Sequence, residues 1–192
     1  VTTPFVAVLM GSDSDLPTMQ ATLDVLAKLE IPYEVKITSA HRTPAATHAY
    51  VKDAEGRGCA LFVAAAGLAA HLAGTVAGLT LRPVIGIPLD AGPLQGMDSL
   101  LSTVQMPGGI PVATVAIGKP GAKNAGYLAA QILALGNPDL AERIRLEREE
   151  NARAVQAKDA ELRTQAAGLS RNTPAVRTVD PMLDQGEDPR FN

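Results

Sequence analysis

Phe5-Val6-Ala7-Val8-Leu9-Met10 runs without a polar residue into Gly11-Ser12-Asp13-Ser14-Asp15, after which Leu16, Met19, Leu23 and Leu26 recur at helical spacing. An unbroken apolar run of this length suits a parallel strand covered on both faces, and the spacing that follows marks an amphipathic helix. This stretch therefore predicts a strand, a polar loop and a helix. The same grammar repeats along the chain. Tyr33–Thr38, Ala60–Ala66, Val84–Pro88 and Val112–Ala116 read as four more strands, most of the five being continuously apolar. Thr43 is expected to cap a helix that has Pro44 at its first position, and Gly56 and Gly58 stop it. Further helices are expected over about Ala69–Leu79, Asp98–Val104 and Ala122–Leu135. Strands alternating with helices through right-handed crossovers give an α/β fold, a three-layer doubly wound parallel sheet of the Rossmann or flavodoxin type.

Outward from this pattern, charge divides the chain. Residues 1–135 hold 17 charged side chains and residues 136–192 hold 20. We therefore expect a single α/β catalytic domain over 1–137, a charged C-terminal helix over 138–167 and a polar tail over 168–192. The tail is too polar to fold on a core of its own and is expected to pack on a neighbouring subunit. Two expected helices carry stripes of small residues: Ala70, Gly74 and Gly78 on one, Ala122, Gly126 and Ala130 on the other. Such stripes suit helix-on-sheet packing or subunit contacts. The low charge of residues 1–135 favours subunit contacts, hence a homo-oligomer.

Composition narrows the function. With 192 residues, 46% hydrophobic and 19% charged, the chain is globular. A net charge of -3 leaves no basic surplus for nucleic acid, and six aromatic residues are too few for a base-stacking platform. A lone cysteine, Cys59, excludes an internal disulfide framework, and three scattered histidines match no metal-ligand spacing, so no metal is expected. The run Ala60–Ala70 is too short to span a bilayer, and Val1-Thr2-Thr3-Pro4 has no signal-like character. The expected compartment is the cytoplasm, with no membrane partner.

In an open parallel sheet, ligands bind beyond the carboxyl ends of the strands. After the first strand, Ser12 and Ser14 offer hydroxyls that suit phosphate, and Asp15 offers a carboxylate that suits ribose hydroxyls. A tight turn with Ser14 or Asp15 as cap explains the same residues without a ligand. After the second strand come Ser39-Ala40-His41-Arg42. Arg42 beside a helix N-terminus is misplaced unless an anion joins it, and its fork of donors matches phosphate. His41 is the natural proton carrier near neutral pH. After the third strand, Gly67 and its alanine neighbours let a flat ligand or a small gas molecule touch the backbone, or simply form core. His71, two residues into the next expected helix, suits packing and ligand contact equally. His48 is expected to face solvent without a role, and Cys59 to be a small buried hydrophobe.

Together these motifs are those of a known family. Met10-Gly11-Ser12-Asp13-Ser14-Asp15, Ser39-Ala40-His41-Arg42-Thr43-Pro44, Ala69-Ala70-His71-Leu72 and the stretch from Gly96 to Pro107 resemble the PurE family of purine biosynthesis, as does Val112–Gly118 with Lys123-Asn124-Ala125. The resemblance covers about residues 5–146. It implies a three-layer flavodoxin-like fold, a homo-octamer with active sites between subunits, no cofactor, and a ribonucleotide substrate with CO2. The implied activity is interconversion of N5-carboxyaminoimidazole ribonucleotide and 4-carboxy-5-aminoimidazole ribonucleotide. The alternative is direct carboxylation of aminoimidazole ribonucleotide by CO2. By position, Ser12, Ser39 and Arg42 would hold phosphate, Asp15 the ribose hydroxyls, and His41 would move protons, with Gly67 and His71 also binding substrate. Arg42 and the His71-Leu72 pair favour the mutase class. Three residues depart from that pattern: Ala65 and Leu68 stand where glycine is usual, and Ala73 where proline is. A flavin or nucleotide module without catalysis is the remaining reading, though a flavin site usually supplies aromatic loops that are absent here.

Overall fold

The computed structural model describes residues 4–169. Five strands and six helices alternate: β1 (Phe5–Met10), α1 (Leu16–Lys28), β2 (Tyr33–Ile37), α2 (Pro44–Gly56), β3 (Cys59–Ala66), α3 (Leu72–Ala77), β4 (Val84–Pro88), α4 (Met97–Val104), β5 (Ala113–Thr114), α5 (Gly118–Ala134) and α6 (Pro138–Leu169). All strand pairs are parallel and the order is β2-β1-β3-β4-β5. This is the doubly wound, flavodoxin-like arrangement.

The alternation of side chains along each strand splits the core in two. Val6, Val8 and Met10 of β1, with Leu61 and Val63 of β3, meet Met19 and Leu26 of α1 and Ala125 and Ala129 of α5. Phe5, Ala7 and Leu9, with Phe62 and Ala64, meet Val51 of α2 and Leu72 and Val76 of α3 on the opposite face. β2 is the exception to the apolar pattern, because it is an edge. Its Glu34 accepts from Tyr50 of α2 and pairs with Arg57 just past that helix, and Arg57 also pairs with Asp53.

Several boundaries differ from expectation, each for a local reason. β5 is confined to Ala113–Thr114 because it pairs only with Ile85 and Gly86. α3 begins at Leu72 rather than near Ala69, since Leu68 takes a left-handed backbone conformation at φ 55° that breaks helical continuity. Thr43 makes no side-chain cap to α2. Its hydroxyl instead accepts from Ser39 N–H at 2.9 Å, tying the preceding loop together.

The small-residue stripe of α5 is packed within the chain; of the other stripe, Ala70 falls before α3. Gly126 of α5 lies so close to α1 that a Cβ there would stand 2.8 Å from Val25 Cβ and 3.1 Å from Thr22 O. The buried Thr22 hydroxyl donates to Ala122 O at 2.6 Å across the same contact. Gly74 of α3 meets the Met106 sulfur in the same way, at 3.1 Å from its would-be Cβ.

The chain divides into two compact units within α6. The α/β unit runs to Ile144, with Leu140 in its core and Arg143 Nε donating to Leu29 O at 3.1 Å. The second unit begins at Arg145, and its described residues are helical, with ion pairs between Arg145 and Glu149 and between Asp159 and Arg163. Residues 170–192, most of the expected tail, lie outside the described residues.

The α1–α5 contact has no room for a methyl group at Gly126. Gly126→Ala should lower stability by about 1–3 kcal/mol, despite the better helix propensity of alanine. Thermal unfolding of the two proteins checks this.

Candidate active site

The winding of the sheet reverses between β1 and β3, and the loops leaving those strands part there. A cavity of about 490 Å³ opens at this point. All seven residues expected to bind substrate or move protons line it: Ser12, Asp15, Ser39, His41, Arg42, Gly67 and His71. Three loops, after β1, β2 and β3, are thus brought together.

The loop after β1 is a short 3-10 turn, Asp13–Asp15, with Ser12 rather than Ser14 or Asp15 as its cap. Ser14 N–H donates to Ser12 Oγ at 3.3 Å, and Ser12 N–H donates to Asp15 Oδ2 at 3.0 Å. This reciprocal capping holds both side chains at the cavity wall. Burial leads in pushing the Asp15 carboxyl above its ordinary value of 3.8; the Ser12 and Gly11 N–H groups and the Arg42 charge pull it down, while Asp13 adds to the rise. A carboxylate left short of solvation by burial gains from hydroxyl donors.

The loop after β2 is anchored from below by hydroxyls. Buried Thr38 and Thr47 share a hydrogen bond of 2.7 Å, and Arg42 N–H donates to Ser39 Oγ at 3.1 Å. Arg42 Nη2 reaches across to donate to Gly11 O at 2.7 Å, bridging the first two loops. That bond engages one edge of the guanidinium. A second hollow of about 520 Å³ shares Gly11, Ser12, Ser39 and Arg42 with the cavity.

His41 and His71, thirty residues apart, meet in the cavity. His41 Nε2 lies 2.8 Å from His71 Nδ1, and the rings are T-shaped at 4.8 Å between centroids. One of these nitrogens must hold the proton and the other accept it. His71 is not inside a helix, as the sequence suggested, but immediately before α3. His48 is exposed and away from the cavity, and Cys59 is fully buried, its thiol pushed up to about 11 chiefly by burial.

The structure adds a wall residue the sequence did not mark. Ala91 closes the cavity from the loop after β4, beside Ser14 and Leu68, which the sequence had already singled out. Gly92-Pro93 behind that strand was the available signal for a fourth strand-end loop. Among the described residues, no group of three His, Cys, Asp or Glu could hold a metal ion, and no helix is long and apolar enough to cross a membrane. The chemistry on offer is anion binding by Arg42 and hydroxyls beside a histidine able to take and give a proton.

Comparison with known proteins agrees in kind. A family profile described as AIR carboxylase matches residues 5–154. An N5-carboxyaminoimidazole ribonucleotide mutase of Mycobacterium tuberculosis is 52% identical over 169 residues, spanning 88% of this chain and 96% of that protein. One from Synechocystis is 55% identical over 159 residues, spanning 83% and 89%. The crystal structure of Treponema denticola PurE superposes with a TM-score of 0.76 at 31% identity, covering 83% of this chain and 98% of that one.

The raised Asp15 pKa sets a pH dependence. An acid whose folded pKa lies above its unfolded value binds its proton more tightly when folded, so stability falls as pH rises from about the ordinary 3.8 through the raised value. Asp15→Asn keeps an acceptor for Ser12 N–H. It should melt above the native protein at neutral pH, with the gap closing below 3.8, while its nucleotide affinity drops. Melting curves across pH and a binding titration measure both.

Proposed function

The chain belongs to the AIR carboxylase family, and we infer from that membership and from the cavity that it is an isomerase of purine biosynthesis, converting N5-carboxyaminoimidazole ribonucleotide to 4-carboxy-5-aminoimidazole ribonucleotide. The observation that supports the chemistry best is the convergence of His41 and His71 with Arg42 and Ser12 on one cavity. The ribonucleotide phosphate is held by Arg42, Ser12 and Ser39, and the ribose hydroxyls by Asp15. Binding phosphate engages the guanidinium donors that Gly11 O leaves open, so the Arg42 bridge stays in place.

The reaction then needs one proton moved twice. The bond between the carbamate nitrogen and its carboxyl carbon breaks, CO2 leaves, and His41 protonates the nitrogen. The ring carbon, an enamine-type nucleophile, attacks the same CO2, a carbon–carbon bond forms, and His41 removes the ring proton. Atoms and charge balance with no external oxidant or reductant. His41 serves as acid and then base, which suits histidine at neutral pH. His71 is the positioning partner: its hydrogen bond and edge-on ring contact hold the His41 imidazole in the cavity. The proposed compartment is the cytoplasm.

The working unit is a homo-oligomer, an octamer in our reading. Its strongest support is α4, whose polarity is reversed. Ser99 and Thr103 are buried, their hydroxyls donating to Leu89 O at 2.7 Å and Ser99 O at 2.7 Å, while Met97, Leu101 and Val104 stay exposed. Tyr33, Val35 and Ile37 of the edge strand are exposed too. Apolar faces of this regularity call for a covering partner, and a second copy meets the need.

Two experiments test these points. Purified protein offered each nucleotide separately should convert the carbamate at low bicarbonate and use aminoimidazole ribonucleotide only slowly at high bicarbonate. His41→Asn should bind nucleotide within a few-fold of native yet lose at least ~10²-fold in turnover. Efficient carboxylation at low bicarbonate with no use of the carbamate would assign the enzyme to direct carboxylation instead. For assembly, light scattering should give a multiple of the 19.9 kDa chain mass, and Leu101→Glu should shift it toward one chain with the circular dichroism of the fold retained. A native mass of one chain would refute the oligomer.

A further inference from the structure

Leu68 combines three features that do not ordinarily coincide. Its backbone is left-handed at φ 55°, a region that bulky side chains avoid. Its side chain is 53% exposed and lines the cavity. It also lies directly on Gly92 of the loop after β4: a Cβ on Gly92 would stand 2.6 Å from Leu68 Cδ2. Gly92 is itself left-handed at φ 78°, and Gln95 and Gly96 of the same loop are left-handed at φ 50° and 85°.

The two loops touch again one residue earlier. A Cβ on Gly67 would stand 2.6 Å from Ala91 Cβ, and Leu89 N–H donates to Ala66 O at 3.0 Å just before the loops diverge. The wall on this side is therefore a two-point contact, Gly67 on Ala91 and Leu68 on Gly92. An alternative helical backbone at residue 68 would aim the isobutyl group elsewhere. The unfavourable φ is held in place by a contact that requires it, which is the signature of a constraint with a use.

On the reaction proposed above, CO2 is free between its two bonds and has to stay beside the ring. We propose that Leu68 is a positioning residue that latches the loop after β3 to the loop after β4 and seals that side of the cavity, so that released CO2 is retained. Water exclusion is the physical content: an apolar side chain over the seam denies CO2 an exit and denies solvent an entry. Glycine would fit the backbone better but would leave the seam over Gly92 uncovered.

Carbamate nucleotide labelled with ¹³C in its carboxyl group is turned over by the native protein in unlabelled bicarbonate, with carbonic anhydrase present to trap escaped CO2. Mass spectrometry reads the label in the carboxylated product and the free aminoimidazole ribonucleotide left behind. The native enzyme should retain most of its label. Leu68→Ala should lose several-fold more label to the bicarbonate pool and leave correspondingly more free aminoimidazole ribonucleotide. Leu68→Gly removes the backbone strain as well, so it tests the seal in a variant that folds without it, and it should leak likewise. Leu68→Met, similar in length and apolar, should restore retention. A purely structural role would lower stability or turnover without moving the ratio of retained to lost label. Equal retention in native, Leu68→Ala and Leu68→Gly would overturn the proposal. So would native protein that converts substrate but keeps no label. Absence of conversion by the native protein would instead overturn the reaction itself, and the two failures are thereby told apart.

Discussion

Parallel strands cannot be joined by hairpins, so every strand here must send the chain across a face of the sheet before the next begins. With β1 and β3 side by side in the middle, the first crossover leads outward to β2 and the later ones lead the other way. Loops on either side of that reversal are forced apart, and a crevice is unavoidable where they separate. Everything at the site follows from this constraint. The chain needs no dedicated pocket-forming element. It needs only polar residues just past β1 and β2, a glycine and then a histidine past β3, and a small residue past β4.

The second theme is polarity placed against habit. α4 turns hydroxyls inward and alkyl groups outward, and this is tolerable because Ser99 and Thr103 bond to backbone carbonyls rather than standing unpaired in the core. Arg42 is likewise set at a helix N-terminus, where the dipole disfavours it, and is steadied by the Gly11 carbonyl. Both arrangements are satisfied locally by backbone carbonyls, and on the reading proposed above a second copy covers the one and a phosphate joins the other.

Much of the architecture was legible because strong local patterns met no opposition. β1 and β4 lie where their apolar runs begin and end, and α2 starts at Pro44 because proline suits that position and little else. What escaped the sequence depended on neighbours distant along the chain. The contact of His41 with His71 exists only because β1 separates β2 from β3 in the sheet while their loops lean together. Leu68 lies in an apolar stretch that reads smoothly into a helix, and nothing in its identity announces a left-handed backbone. The small stripe on α5 suggested a partner subunit, but the partner is α1, through Val25 and Thr22. The spacing named a close approach without saying to what.

The threonines beneath the His41 loop have a thermodynamic consequence. Thr38, Thr43 and Thr47 tie that loop to β2 and α2 through hydroxyl contacts, two of them fully enclosed. A loop fixed in this way loses its conformational freedom when the chain folds, not when substrate arrives. On the phosphate site proposed above, binding energy is then free to be expressed as affinity and orientation instead of being absorbed in ordering the protein. The association should accordingly show the modest heat-capacity change of a rigid, mostly polar encounter rather than the large one of coupled folding.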